Sequence, residues 1–174
     1  VVQRSVVRTC SGKPGPLWRE RPKIQSYLSA TISTHQYIMA RIKLVIPLPP
    51  IFTTSIPVRI SDINYGNHVG NDAFVSILHE ARMQWLSNHH FTELNIDGVG
   101  LIMSDLALEF KQESFYSDTI EVEISVGEVT SAGFELYYQL FTSRNKQHIL
   151  LARAKTGMVC YQYKQKKVTA IPEV

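Results

Sequence analysis

A polar stretch at residues 61–71, SDINYGNHVGN, concentrates the side chains of this chain that are best suited to chemistry. Asp62, Asn64, Asn67 and His68 place carboxylate, amide and imidazole groups within seven positions. Glycine and asparagine tolerate the unusual backbone angles of a tight loop, and loops on a rigid scaffold often carry function. Carboxylates and imidazoles also accept protons, so we predict that this loop holds a catalytic site.

The segments on either side of the loop must position it. Before it, Ile56, Val58 and Ile60 alternate with other residues, including Pro57, at the period of two that is typical of a half-buried strand. After it, apolar residues recur at spacings of three and four, which predicts a helix of about four turns with Asn71 as its N-cap. The apolar residues of this helix are Ala73, Phe74, Ile77, Leu78, Ala81, Trp85 and Leu86.

Four further strands are predicted after a second loop that contains Gly98 and Gly100. Apolar residues alternate with other residues in three segments, and a fourth strand covers the end of the pattern; the four segments are residues 106–110, 120–126, 134–140 and about 149–163. The helix and the sheet each have one apolar face. The simplest way to bury both is an α+β domain in which an antiparallel sheet of about five strands wraps around one long helix.

The charge of the chain is unevenly distributed. The formal net charge is +3, but residues 1–38 carry six Lys/Arg and one acid, which leaves a small negative excess on the remainder. A nucleic-acid-binding domain has its positive charge clustered on folded elements, so we do not expect nucleic acid as a partner. Residues 1–38 have the composition of a flexible basic leader, interpreted as a presequence, upstream read-through before Met39 or a genuine extension. The folded domain is expected to span residues 39–174.

Neither a metal site nor a membrane span is predicted. The two cysteines, Cys10 and Cys160, have no metal-ligand spacing and form no disulfide framework, which favours a reduced, cytoplasmic setting. The adjacent His89 and His90 lack the spacing of zinc ligands. Prolines interrupt the most apolar stretch near the amino end, residues 44–52, so it is too short and too broken to cross a membrane as a helix.

The order of elements, together with the loop, resembles the hotdog-fold acyl-CoA thioesterases of the 4-hydroxybenzoyl-CoA thioesterase type, over about residues 51–163. Members of this family tend to read SDxDxxGHVNN and then a helix with EAR, and this chain reads SDINYGNHVGN and then Glu80-Ala81-Arg82. The resemblance implies a hotdog fold and hydrolysis of an acyl thioester of coenzyme A, or of acyl carrier protein, without a cofactor. It also implies a homodimer or homotetramer, because relatives pair their sheets edge to edge and build each site from two subunits.

One position departs from the family pattern. The second acid of the motif, which in the family acts as nucleophile or general base, is Asn64 here. An amide does not take up a proton at neutral pH, although it can orient a water molecule or the thioester carbonyl. The base must then come from elsewhere, and the candidates are Glu80, Asp62 and His68. Each has a structural alternative: surface pairing for Glu80, turn geometry for Asp62 and packing beneath the loop for His68.

Thioester cleavage also needs hydrogen-bond donors for the developing oxyanion. Gly100 matches the position where the family presents such a backbone amide, so the amides of Gly100 and Leu101 are the predicted donors and substrate-binding groups. Gly100 has the alternative interpretation of a turn glycine. The loss of the carboxylate at Asn64 also leaves a second function open, a non-catalytic acyl-CoA-binding hotdog protein.

Overall fold

The computed structural model describes residues 41–173, so the predicted leader lies outside the described residues. The strands are β1 (Phe52–Pro57), β2 (Gly100–Phe110), β3 (Thr119–Val129), β4 (Gly133–Arg144), β5 (Gln147–Gln162) and the short β6 (Lys167–Val168). A single-turn 3-10 helix (Ile60–Asp62) and the helix α1 (Asn71–Asn88) lie between β1 and β2. The predicted order of strand, long helix and four strands is confirmed.

The strands form one antiparallel sheet in the order β1-β3-β4-β5-β2, with β6 paired to the end of β5. This order results from the β3–β4 and β4–β5 hairpins, the pairing of β1 with β3 and the pairing of β2 with β5. The hairpin between β4 and β5 has a two-residue loop, Asn145 and Lys146, with φ values of 51° and 63°. Positive φ at both positions matches the right-handed twist of the flanking strands, as in other tight hairpin turns.

The core lies between α1 and the concave face of the sheet. The helix buries an apolar stripe that includes Phe74, Ile77, Leu78 and Ala81. The central strands contribute side chains that are almost fully inaccessible to solvent, namely Ile120, Val122, Ile124, Leu136, Tyr138, Leu140, Leu151, Ala152 and Ala154. Burying a large aliphatic side chain contributes about 1.5–3 kcal/mol, so this face supplies most of the force that holds the helix in the sheet.

The structure corrects three details of the predicted elements. The first strand ends at Pro57 and does not continue to Ile60, because the chain turns into the 3-10 helix. Gly70, and not Asn71, is the N-cap of α1, and the helix runs for 18 residues, which is longer than the predicted four turns. The short β6, which no periodic pattern indicated, adds two residues at the end of β5 to the predicted sheet of about five strands.

Candidate active site

The loop between β1 and α1 begins with a turn that Asp62 stabilises. Its carboxylate accepts a hydrogen bond of 2.7 Å from the backbone N–H of Arg59, and its carbonyl accepts one of 2.9 Å from the N–H of Gly70. The Asp62 side chain is only 8% exposed. Both ends of this loop are therefore joined through one residue, which agrees with the turn-geometry alternative for Asp62.

Asn64 and His68 hold the centre of the same loop. The Asn64 side-chain oxygen accepts a hydrogen bond of 2.7 Å from the N–H of Gly66, and the Asn64 N–H donates to the carbonyl of His68 at 2.9 Å. His68 Nδ1 lies 3.2 Å from the carbonyl of Val69, to which it donates. A β-carbon at Gly66 would lie 2.9 Å from His68 Nε2, so this glycine allows the ring to pack beneath the loop.

The loop ends at the open amino end of α1. Gly70, the N-cap residue, has no side chain to accept from the first-turn amides, and no side chain within residues 41–173 caps the helix. The first amides of a helix lack partners within the helix and carry a partial positive charge. The N–H groups that begin with Asn71 are therefore available to a ligand oxygen, which is the arrangement that anions and polarised carbonyls favour.

A cavity of about 200 Å³, named here the helix-start cavity, opens beside these amides. One side of it consists of His68, Val69, Asn71 and Phe74, and the other consists of the end of β2 and the residues after it, Phe110, Lys111, Gln112 and Glu113. The rings of Phe74 and Phe110 meet edge to face with centroids 5.4 Å apart and form its apolar wall. Polar donors and an apolar wall therefore face one small space.

Asp118 fixes the turn that follows β2. Its carboxylate accepts hydrogen bonds from the Ser114 hydroxyl at 2.9 Å and the Phe115 N–H at 2.8 Å, and it forms an ion pair with Arg144 at 2.5 Å. Burial opposes the ionisation of Asp118, but the bonds from Arg144, Phe115 and Ser114 outweigh it and lower its pKa. Arg144 also donates to the carbonyl of Glu113 at 2.8 Å.

This turn is attached directly to the loop before the helix. The N–H of Val69 donates to the carbonyl of Ser114 at 2.8 Å, and Ser114 is completely buried. The two walls of the helix-start cavity are thus held together by a backbone hydrogen bond. Their separation does not depend on flexible side chains.

A second cavity of about 370 Å³, named here the helix-side cavity, lies further along α1. Its helix wall includes Val75, Leu78, His79 and Arg82, and its strand wall includes Leu101, Met103 and Leu106 of β2. Positions 71, 74, 75, 78, 79 and 82 follow the spacing of one helix face. The two cavities therefore follow one another along the same face of α1, between the helix and β2.

A buried ion pair forms one end of the helix-side cavity. Arg82 is 5% exposed, and its Nε donates to the Glu93 carboxylate at 2.6 Å. Burial disfavours the charged form of Arg82, but contacts with Tyr138 and Glu93 outweigh that effect and raise its pKa. His79 Nε2 lies 2.9 Å from the second oxygen of Glu93. Glu93 thereby fixes the segment before β2 to the helix.

Glu80 lies on a different side of the helix from both cavities. Its side chain is exposed and accepts a hydrogen bond of 2.8 Å from Gln84, and Gln84 in turn contacts the Thr54 hydroxyl of β1. The structure does not bring Glu80 together with Asn64 or His68. This position agrees with the surface-pairing alternative that the sequence left open.

The predicted oxyanion donors are engaged elsewhere. The Leu101 N–H donates to the carbonyl of Glu93 at 2.7 Å, on the side away from β5. Successive amides of a strand point in opposite directions, so the Gly100 amide faces its partner Tyr161 in β5. Neither of the cavities beside the helix includes both Asn64 and Gly100. Within this chain, the helix start supplies the open amides, and Leu101 contributes its side chain to the helix-side cavity.

Sequence reasoning missed three features of the site: the amides that begin with Asn71, the pair of Phe74 and Phe110, and Glu113. The helix signal itself indicated the first, since every helix start exposes amides. Glu113 lies in the turn after β2, a segment without the alternation of apolar residues that indicated the strands. Its position depends on the contact between the turn after β2 and the loop before α1.

Two general features of the described residues bear on the site. Across residues 41–173, no group of three or more His, Cys, Asp or Glu side chains is arranged to hold a metal ion. In the same part of the chain, no helix combines the length and apolar character needed to cross a membrane.

Comparisons with known proteins agree with this fold. Residues 58–174 match the model of the family described as "Thioesterase-like superfamily". The chain is 27% identical to the 1,4-dihydroxy-2-naphthoyl-CoA hydrolase of Synechocystis sp. over 125 residues, which cover 70% of this chain and 89% of that protein. It is 24% identical to the acyl-CoA thioester hydrolase YbgC of Escherichia coli over 123 residues, which cover 67% of this chain and 88% of that protein.

A solved structure supports the same relationship. The crystal structure of a 1,4-dihydroxy-2-naphthoyl-CoA thioesterase from Synechocystis superposes with a TM-score of 0.62 at 26% identity, over 70% of this chain and 89% of that one. The hotdog fold and the family resemblance predicted from the loop motif are thereby confirmed. The match covers the loop, the helix and all the long strands after it, so we conclude that this chain belongs to the thioesterase-like superfamily.

Proposed function

We propose that this protein hydrolyses an acyl-CoA thioester to the free acid and coenzyme A, and that the reacting carbonyl lies in the helix-start cavity. The observation that carries this proposal is the uncapped start of α1, which opens onto a cavity with the Phe74–Phe110 wall. A carbonyl oxygen placed there accepts from fixed backbone amides. Such preorganised donors become more effective as negative charge develops on the oxygen.

The helix-side cavity fits the acyl group. Its volume of about 370 Å³ lies in the range of about 300–1,000 Å³ that is usual for small-molecule sites. Its strand wall is apolar through Leu101, Met103 and Leu106. An acyl group that extends from the helix start along the same helix face would bury its apolar surface here, which would place the thioester beside the open amides.

The loop residues keep this geometry in the proposed mechanism. Asp62 closes the ends of the loop, and Asn64 and His68 shape its centre through bonds to Gly66 and Val69. None of these bonds requires a carboxylate at position 64, since an amide oxygen also accepts from an N–H. The family acid is therefore not needed for the fold of the loop, and its loss changes the chemistry more than the shape.

We also propose that two copies associate through the outer edge of β2. Among the described residues, no strand pairs with this edge, because the sheet order ends at β2. Met103, Leu106 and Phe110 are 43%, 36% and 46% exposed on this strand. A long unpaired edge with apolar side chains favours pairing with another chain. Sedimentation equilibrium is expected to give at least a dimer, and a monomer at all concentrations would contradict this part of the proposal.

A cytoplasmic location completes the proposal. Cys160 is a free, buried thiol, and burial raises its pKa. Free thiols are stable in the reducing cytoplasm, whereas disulfides are common in oxidising compartments. Fractionation of cells that express the full chain would test this location.

The function is tested by the release of free thiol from a panel of acyl-CoA esters with aromatic, short and long acyl groups. Steady-state turnover with at least one ester, compared with a boiled-protein control, is expected. Tight binding of the esters without turnover would instead favour the non-catalytic acyl-CoA-binding protein. Binding is measured in the same panel by isothermal titration, so that the two outcomes are separated.

A further inference from the structure

Glu113 is a carboxylate that the established features of the site leave unused. It lies just after β2 and lines the helix-start cavity together with His68 and Asn71. Of the described residues that line this cavity, Glu113 alone carries a carboxylate. Glu113 belongs to the segment after β2 that forms one wall, and the helix amides belong to the other wall, which includes Asn71.

The position of Glu113 is fixed through its backbone. Its carbonyl accepts from Arg144 at 2.8 Å, and the carbonyl of the next residue, Ser114, accepts from Val69 at 2.8 Å. Asp118 binds Ser114, Phe115 and Arg144 and so stabilises the whole turn. A group on a backbone held in this way keeps its distance from the loop before α1.

The Glu113 carboxylate is also free to act. Within residues 41–173, it has no hydrogen-bond or ion-pair partner, although its backbone is well anchored. Three other acids near the site are engaged: Asp62 with Arg59, Glu93 with Arg82, and Asp118 with Arg144. Asp72 lies in the first turn of α1 but does not line the helix-start cavity. Glu80 binds Gln84 on another side of the helix. A carboxylate that acts as a general base needs a lone pair that does not already accept a hydrogen bond.

We propose that Glu113 is the general base of the hydrolysis, an inference that rests on the proposed function. The carboxylate takes a proton from a water molecule while the water oxygen forms a bond to the carbonyl carbon of the thioester. The amides at the start of α1 stabilise the resulting oxyanion. When this intermediate collapses, the C–S bond breaks, the electron pair leaves with the sulfur, and Glu113 returns the proton to the thiolate. The products are the free acid and the thiol.

This assignment accounts for Asn64. A base on the opposite wall of the cavity replaces the carboxylate that position 64 lacks, while Asn64 keeps the loop bond to Gly66. The site then contains both an acceptor for the water proton and donors for the oxyanion.

The experiment compares steady-state thiol release by the full-length chain and by three matched Glu→Gln variants, with the best ester of the panel. Glu113→Gln removes the proposed base, and general base catalysis contributes about 10²- to 10⁴-fold. We expect kcat to fall by at least about 100-fold, with KM and the urea midpoint close to those of the wild type. Glu128→Gln, at an exposed site at the end of β3, controls for the loss of a surface charge and is expected to leave kcat unchanged.

Glu80→Gln tests the helix carboxylate predicted from the sequence. If Glu113→Gln retains kcat within about threefold of the wild type, which is a change far below the range for general base catalysis, the inference is overturned. It is also overturned if turnover is lost in Glu80→Gln and kept in Glu113→Gln. An inactive wild-type protein across the whole panel would refute the proposed function itself, so the two failures are distinguishable.

Discussion

The ion pair of Arg82 and Glu93 predicts a large loss of stability when only one partner is removed. The Arg82 side chain is 6% exposed, and its Nε lies 2.6 Å from the Glu93 carboxylate. Glu93→Leu leaves the guanidinium buried, and among residues 41–173 its remaining polar contact is the Tyr138 hydroxyl at 3.4 Å. Breaking a buried pair in this way costs about 3–5 kcal/mol.

The expected loss lies near the lower end of this range, about 3 kcal/mol, because Glu93 retains 21% exposure to solvent. With a urea dependence of about 2 kcal/mol per molar, the unfolding midpoint is expected to fall by about 1.5 M. Urea unfolding followed by tryptophan fluorescence measures this shift. The slope of the transition must match that of the wild type for the free energies of unfolding to be compared.

Two further variants separate burial of a charge from loss of packing. The double variant Arg82→Met/Glu93→Leu removes both charges, and it is expected to recover at least half of the loss, since apolar side chains can replace a buried pair at little cost. Glu121→Leu removes one partner of the exposed pair with His148 and is expected to cost less than about 1 kcal/mol. The reasoning is refuted if Glu93→Leu costs no more than Glu121→Leu, or if the double variant is as unstable as the sum of its single changes.

Three other predictions concern stability and reactivity. Folding lowers the pKa of Asp118 from an ordinary value of 3.8, so the ionised carboxylate stabilises the fold above about pH 4, and this effect is lost as the pH falls through the folded-state pKa. The urea midpoints of the wild type and Asp118→Asn should therefore differ most near neutral pH and converge in acid. A difference that stays constant with pH would contradict this prediction. Gly133→Ala should lower the melting temperature more than Gly100→Ala. At both positions the added β-carbon would lie 2.3 Å from a neighbouring atom, but this atom is a fixed backbone oxygen of Met158 at Gly133 and part of the movable Tyr163 ring at Gly100. Equal decreases of the melting temperature in calorimetry would contradict this prediction. Cys160 is 1% exposed, so its thiol should react with Ellman's reagent only after unfolding. The Cys10→Ser variant leaves Cys160 as the only thiol for this measurement, and rapid labelling of the folded variant would contradict the burial of Cys160.

The elements of this fold were predictable because their signals are local. Alternation of apolar residues indicated the strands, and the spacing of Phe74, Ile77 and Leu78 indicated the helix. The turn at Asn145 and Lys146 was predictable for the same reason, since a tight hairpin depends on residues that tolerate positive φ. The loop motif at residues 61–71 then indicated the family, which the match to the thioesterase-like superfamily confirms.

The partners of the candidate residues were less predictable. Glu80 lies near the middle of the helix, as the family resemblance implied for a catalytic carboxylate. Whether its side chain lines a cavity depends on the face of the helix on which it lies, and Glu80 contacts Gln84 on a face away from both cavities. The Leu101 amide lies at the start of β2, and its hydrogen bond to Glu93 is a contact between the strand and the preceding loop. The hydrogen-bond partners of these groups depend on which segments the tertiary fold places beside them.

The amino-acid sequence by itself determined the periodic elements, the tight turns and the polar loop, because each of these depends on side chains within a few positions of one another. Only the tertiary structure decided which groups face the open helix start. Val69 and Ser114 are distant in sequence, and the hydrogen bond between them brings Glu113 to the cavity. That contact forms because the sheet places the end of β2 beside the helix start, which is a long-range consequence of strand order that no local pattern specifies.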